Sequence, residues 1–248
     1  MQQSILYPYT LGFISYVAAL LSLIYGRVRL CTWIHALAVA SMGVSLASLG
    51  YTSGHWPVFN FFETLVAGAF ALGVLGLFGP EEEDRLFSPR LFILVEILIL
   101  LLITLFLAKE PSPFHYYYDY PYIILFHGFR ILALAAMLSS SAHFIDFKLQ
   151  KRGTALEKTR LHQGRNFLVL AALFFLLSEY VGILWCQNGW GDIWHWNGAF
   201  FQSTLLVLFL MLAFHIPGRN RDSEGIRSLL GGLSGFFMLA LMIIRSLR

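Results

Sequence analysis

Eight apolar runs, near 9–26, 31–50, 59–79, 89–108, 121–145, 167–186, 198–217 and 227–246, constrain this chain to a bundle of membrane-spanning helices. Crossing about 30 Å of hydrocarbon takes about 20 helical residues, and the connections between the runs are short. Strands with open edges are excluded at that depth, because lipid offers their backbone groups no partner. The 58% hydrophobic and 12% charged content lies outside the balance of ordinary soluble domains. The expectation is an all-α polytopic bundle of about eight helices, one integral membrane domain over residues 1–248 in contact with membrane lipid. The first run lacks a basic leader and a small-residue cleavage site, so it reads as a retained helix and not as a signal peptide.

Basic residues alternate from loop to loop and so predict orientation. Arg27 and Arg29, Arg85 and Arg90, the group Lys148, Lys151, Arg152, Lys158, Arg160 and Arg165, and then Arg219, Arg221 and Arg227 mark four cytoplasmic connections. The segments 51–58, 109–120 and 187–197 carry Lys109 alone among them, which puts them and both termini outside. Arg245 and Arg248 oppose the rule. The net charge of +3 comes from these loops and not from a basic patch interleaved with aromatics, so nucleic acid is not an expected partner. Cys31 and Cys186 fall near opposite faces, which excludes a disulfide between them, and no C-x-x-C pattern occurs. The acidic run Glu81, Glu82, Glu83 and Asp84 reads as a solvated turn.

The outer segments hold the residues that point to chemistry. Trp190-Gly191-Asp192-Ile193-Trp194-His195-Trp196 places three indoles in one short segment. Interfacial anchoring needs no such spacing, whereas a planar hydrophobic ligand would account for it. His55, His115 and His195 lie in outer loops, and His127 lies about 9 Å into the fifth helix at 1.5 Å per residue. His35, His143 and His215 lie toward the opposite face, with His162 in the basic loop. Neutral imidazole tolerates a membrane bundle and still offers a lone pair to iron, so two layers of histidine suggest two ligation levels, with His35 and His215 at similar depth in the inner one. The other reading of each is a hydrogen bond to a neighbouring helix or to headgroups.

The intramembrane charges Glu63, Glu96, Arg130 and Glu179 should face the interior and be paired. Arg130 follows His127 by three residues on one helical face, where it could hold Glu63, Glu179 or a ligand carboxylate. The run 114–120, Phe-His-Tyr-Tyr-Tyr-Asp-Tyr, forms a second aromatic wall or an interfacial belt. No hydrolase, zinc-protease or phosphate-loop motif occurs, and Ser139-Ser140-Ser141 reads as close helix packing.

Trp185 and the W-G-x-x-W-x-W segment with its lead-in Gly182-Ile-Leu-Trp185 resemble the WWD signature of the cytochrome c assembly family of haem-handling membrane proteins, which includes CcsA/ResC, CcmC and HemX types. Ser53-Gly54-His55-Trp56-Pro57 followed by Asn60-Phe61-Phe62-Glu63-Thr64-Leu65 is similar to the S-G-H-x-P…N-x-Y-E-S segment of CcsA-type members. His127 resembles that family's external histidine before the WWD loop, and His215 the histidine in the helix after it. The resemblance spans roughly residues 30–220.

The resemblance implies a bundle that presents haem b on the outer face for attachment to apocytochrome c, beside a CcsB/ResB-like membrane partner. It would make the protein a possible subunit of a cytochrome c synthase in a bacterial-type plasma membrane. Trp190, Trp194 and Trp196 would contact the porphyrin, with His127 an outer axial ligand and His215 part of an inner site. The chain departs from the pattern at Asn197, where the family has aspartate, at Gly198-Ala199-Phe200-Phe201, and in lacking a histidine at the outer end of its last helix. His195, His55 or His115 could substitute for that histidine. These departures favour the alternative of a HemX-like regulator or scaffold of tetrapyrrole synthesis that transfers no haem. A small-solute transporter is the weaker third reading, since no inverted repeat or pair of broken helices occurs.

Overall fold

The computed structural model describes residues 2–79, 88–110, 112–113, 115–149, 155–191, 198–215 and 221–246, and every regular element among them is helical. The described helices are α1 (Gln2–Ile24), α2 (Val28–Ser53), α3 (Phe61–Leu77), α4 (Pro89–Thr104), α5 (Pro121–Leu149), α6 (Ala155–Trp190), α7 (Gly198–His215) and α8 (Arg221–Ser246), with a 3-10 turn at Tyr116–Asp119. Five of them, α1, α2, α5, α6 and α8, contain segments long and apolar enough to cross a membrane, the composition of a multi-pass membrane protein.

The described residues form eight α-helices, as expected, and α3, α4 and α7 are the shorter ones, outside the five long apolar spans. The apolar helices at Phe61–Leu77 and Phe201–His215 are shorter than the other spans, and α4 has 16 residues. At 1.5 Å per residue they are about 24–27 Å long, near the lower end of the lengths that cross a bilayer. Local chemistry sets their ends. Helix α3 cannot start before its cap at Asn60. Helix α4 unwinds through bonds of the tighter 3-10 type, from Leu105 N to Leu102 O and from Phe106 N to Ile103 O. A correction concerns α6. It runs from Ala155 through Trp190, so Lys158, Arg160, His162 and Arg165 stand on a helix and not in a loop, and Trp190 is helical.

The chain divides into two compact units, Met1–Ile131 and Leu132–Arg248. In the first, α1 packs on α2, α2 on α3, α3 on α4, and α4 returns to α1, closing a ring of four helices. Small residues let α3 sit deep in this ring, with Ala67, Gly68, Ala69, Gly73 and Gly76 on its buried surface. A Cβ at Gly73 would run into Tyr16 Oη of α1 and come within 2.9 Å of Val39 Cγ2 of α2. Large apolar side chains such as Leu11, Ile14, Leu37 and Val44 remain exposed on the outside of α1 and α2, as a surface solvated by lipid tails requires.

In the second unit α8 packs on α6 and α7. Gly231 and Gly235, four residues apart, bring α8 against the later part of α5, where a Cβ at Gly235 would lie 2.9 Å from Leu138 N. The serine run forms the other side of this seam. Ser140 Oγ donates to Gly164 O of α6 at 2.7 Å, and Gly235 N donates to Ser141 Oγ at 3.4 Å, so the expectation of close helix packing holds. Arg160 is 1% exposed and pairs with the fully buried Asp146 at 3.0 Å, while its Nη1 donates to Gln163 Oε1 at 2.6 Å. A basic residue that reads in sequence as an exposed topology marker thus ties α6 to the end of α5.

Candidate functional site

The described site with the densest chemistry lies wholly in the first unit, where α2 hands over to α3. Gly54 ends α2 in the left-handed region, at φ 73, and its N–H bonds Gly50 O at 3.0 Å. The turn buries the next side chain, His55, to 8% exposure. Ser53 Oγ donates to His55 O at 3.1 Å and holds the turn closed. Five residues on from His55, Asn60 forms a capping box with Glu63, with Glu63 N donating to Asn60 Oδ1 at 2.7 Å.

The Glu63 carboxylate is fully buried and accepts from four N–H groups. These are Phe59 N at 2.9 Å, Asn60 N at 3.3 Å, Asn60 Nδ2 at 3.2 Å and, across the bundle end, Ser112 N at 2.9 Å. His55 grips the other side of the same residue, its Nε2 lying 2.9 Å from Ser112 O, while its Nδ1 lies 2.9 Å from Trp56 O. Carbonyl oxygens only accept, so a ring N–H must point at one or the other of them, and both ring nitrogens are occupied by contacts within the fold. Ser112 is thereby held by a carboxylate at its N–H and an imidazole at its carbonyl, which locks the 110s segment onto the α2–α3 corner.

Aromatic rings continue from this corner. Phe59 stacks on Tyr118 with centroids 3.8 Å apart and planes within 3°. The His55 ring tilts against both, at 5.2 Å and 4.9 Å. His127 meets the edge of Phe59 at 5.5 Å, and His115 meets Tyr118 at 5.4 Å. Residues 55, 59, 115, 118 and 127, scattered over three segments, therefore form one wall. Arg130, one turn beyond His127, sits with its guanidinium carbon 4.4 Å over the Phe126 ring. Glu63 is engaged elsewhere and is not the acid that Arg130 holds. Glu179, the other candidate, accepts from Ser203 Oγ at 3.0 Å in the second unit.

Beside the wall opens a cavity of about 870 Å³, lined by Gly43, Gly50, Tyr51, Trp56, Tyr118 and Ile124 among others. Its size and apolar lining fall in the range of small-molecule and cofactor sites. His55 is the imidazole on its lining; His127 reaches the wall through Phe59 and does not line it.

The remaining sequence-selected residues divide as follows. Trp194, Trp196, His195, Asn197 and the Trp190 side chain lie outside the described residues. Gly191 has a local role, ending α6 at φ 72 with its N–H on Gln187 O at 3.1 Å. Trp185 is on α6 one turn before that end. His215, exposed on α7, approaches Met211 O through Nδ1 at 2.9 Å, which as a donor leaves Nε2 as the free lone pair, the arrangement common in metal-binding imidazoles. His35 is fully buried on α2 beside Tyr16, ring centroids 5.6 Å apart, and neither ring nitrogen makes a well-aligned hydrogen bond. Ser112 escapes sequence reasoning because its backbone and not its side chain does the work. Compared with models of known protein families and with curated proteins, the sequence matches none.

Proposed function

We propose that the protein is a haem-handling membrane subunit for cytochrome c biogenesis, acting at the extracytoplasmic face of a bacterial-type plasma membrane with a CcsB/ResB-like protein and apocytochrome c as partners. The supporting observation is a convergence. The 53–64 segment and His127, each of which resembles a piece of the WWD family in sequence, meet on one aromatic wall beside an open apolar cavity. Haem b would be the cargo held for attachment to cysteine thiols.

The residues present fit such a group in part. His127 is a half-buried imidazole on a rigid helix, and Arg130 lies one turn along the same face, where a guanidinium can hold a propionate. The glycine and aromatic lining of the cavity suits a flat hydrophobic molecule. His55 does not fit as an axial ligand, because both of its nitrogens face backbone carbonyls within the fold. Trp190, Trp194 and Trp196 keep the porphyrin contacts that the resemblance implies, and His215 an inner role.

A HemX-like regulator or scaffold of tetrapyrrole synthesis is the second reading, and the engagement of His55 favours it. It removes one stand-in for the missing external histidine, as Asn197 removes the family's charge. Purification of the full chain with added haem tests the first reading. A Soret band is expected, with more haem lost in His127→Ala than in His162→Ala. No band with haem supplied, or equal loss in the two variants, would overturn the assignment. Normal cytochrome c maturation in a deletion strain with altered haem precursors would select the second reading.

A further inference from the structure

At the end of the first unit where α2 and α4 begin, buried donors gather without acceptors. Arg90, on the first turn of α4, is 8% exposed, and none of its three guanidinium nitrogens makes a hydrogen bond. His35 and Tyr16 are fully buried; the phenol oxygen is unbonded, and the imidazole faces the Gly73 backbone without a well-aligned hydrogen bond. The three belong to one place. Tyr16 and His35 are 5.6 Å apart by ring centroids. A Cβ on Gly76 would lie 3.0 Å from His35 Cε1 and 2.9 Å from Ile93 Cγ2, so His35 and Ile93 flank one bare stretch of α3. Arg90 stands one turn before Ile93 on α4, and its charge acts on both the His35 ring and the Cys31 thiol. Gly73 and Gly76 leave α3 without a side chain where the rings lie.

A buried guanidinium without a counter-charge is among the costliest arrangements in a membrane bundle. Water can satisfy its N–H groups but leaves the charge uncompensated. Glu96, the nearest buried acid along α4, lies about 9 Å further along the axis, and both of its oxygens are unbonded, so it is not the counter-ion. What the cluster lacks among the described residues is negative charge carrying several acceptor oxygens.

We propose that Arg90, His35 and Tyr16 form a binding site for a compact phosphate-class oxyanion, either free phosphate or the phosphate of a lipid headgroup. The planar Arg90 fork takes two oxygens, and the imidazole and phenol donors from α2 and α1 take the others. Phosphate suits three donors arriving from three helices better than a two-oxygen carboxylate does. This site is separate from the cavity at the α2–α3 corner, and its test does not depend on haem.

The experiment uses delipidated full-length protein in neutral detergent. Its thermal unfolding is followed against inorganic phosphate at constant ionic strength, and in a second arm against phosphatidic acid doped into the micelles. A saturable rise in midpoint is expected in one arm, phosphate identifying a soluble ligand and phosphatidic acid alone a headgroup. Arg90→Met should weaken apparent affinity by about tenfold or more, the size of a lost forked charge contact. Tyr16→Phe and His35→Gln should each weaken it by a smaller factor. Arg90→Lys, which keeps the charge and loses the fork, should fall between wild type and Arg90→Met, and it serves if the methionine variant does not fold. No rise in either arm would overturn the proposal, as would an equal rise in Arg90→Met. A rise that emerges only after Glu81, Glu82, Glu83 and Asp84 are changed to their amides would also overturn it, because the chain's own acidic run would then be the counter-charge.

Discussion

The two ends of the first unit treat buried polar groups in opposite ways. At the α2–α3 corner Glu63 accepts from four N–H groups and both nitrogens of His55 face carbonyls. At the start of α2 and α4, the side chains of Arg90, His35 and Tyr16 make no well-aligned hydrogen bond. The first pattern belongs to polar residues that build a fold, since every donor found its acceptor within the chain. The second is the pattern expected of residues whose partner comes from elsewhere. Histidine alone does not separate the cases. His55 reads in sequence as a ligand and is committed to structure, whereas His35 has the same composition-level signature and no well-aligned hydrogen bond at its nitrogens.

Substitution should give the two ends opposite signs. The largest effect is expected from Glu63→Ala, which strands four donors at once and should destabilise by about 3–5 kcal/mol in reversible unfolding in detergent; a loss under 1 kcal/mol would erase the contrast. Arg90→Met should instead stabilise the anion-free protein by about 1–3 kcal/mol, because a buried uncompensated charge gives way to an apolar side chain of similar length. Destabilisation in phosphate-free buffer would place Arg90 with the structural residues. Gly73→Ala should cost about 1–3 kcal/mol through overlap with Tyr16 and Val39, and combining it with a small residue at position 16 should recover part of that loss. His55→Ala should cost about 1–2 kcal/mol and leave the haem spectrum unchanged; a shifted Soret maximum would return His55 to the ligands. The smallest change is expected at Gly191→Ala, about 1 kcal/mol, from forcing a Cβ into the left-handed region, read as fraying of the α6 end by hydrogen exchange.

Much of the corner was legible in the sequence as a pattern, but its meaning was not. Asn60 followed by Glu63 spells a capping box, a local signal three residues long. The long-range half of the network runs through the Ser112 backbone, which every residue possesses, so no choice of side chain advertises it. Arg160 shows the same limit from another direction. Its neighbours in sequence mark it as an exposed loop cation, and only its meeting with Asp146 makes it a buried tie.

What the sequence by itself determined is the class of fold. Apolar runs of membrane length admit helices alone, since a helix satisfies its backbone within one segment and needs no knowledge of its neighbours. It also determined which residue types are expensive in that setting: the histidines, the intramembrane acids and the arginines. Only the tertiary structure decided which of them are satisfied. Hydrogen-bond partners here are separated by up to tens of residues, as Glu63 and His55 are from Ser112, and whether a buried donor meets an acceptor depends on how helices are set against one another. That relation sorted His55 into the fold and left Arg90, His35 and Tyr16 without well-aligned partners among the described residues.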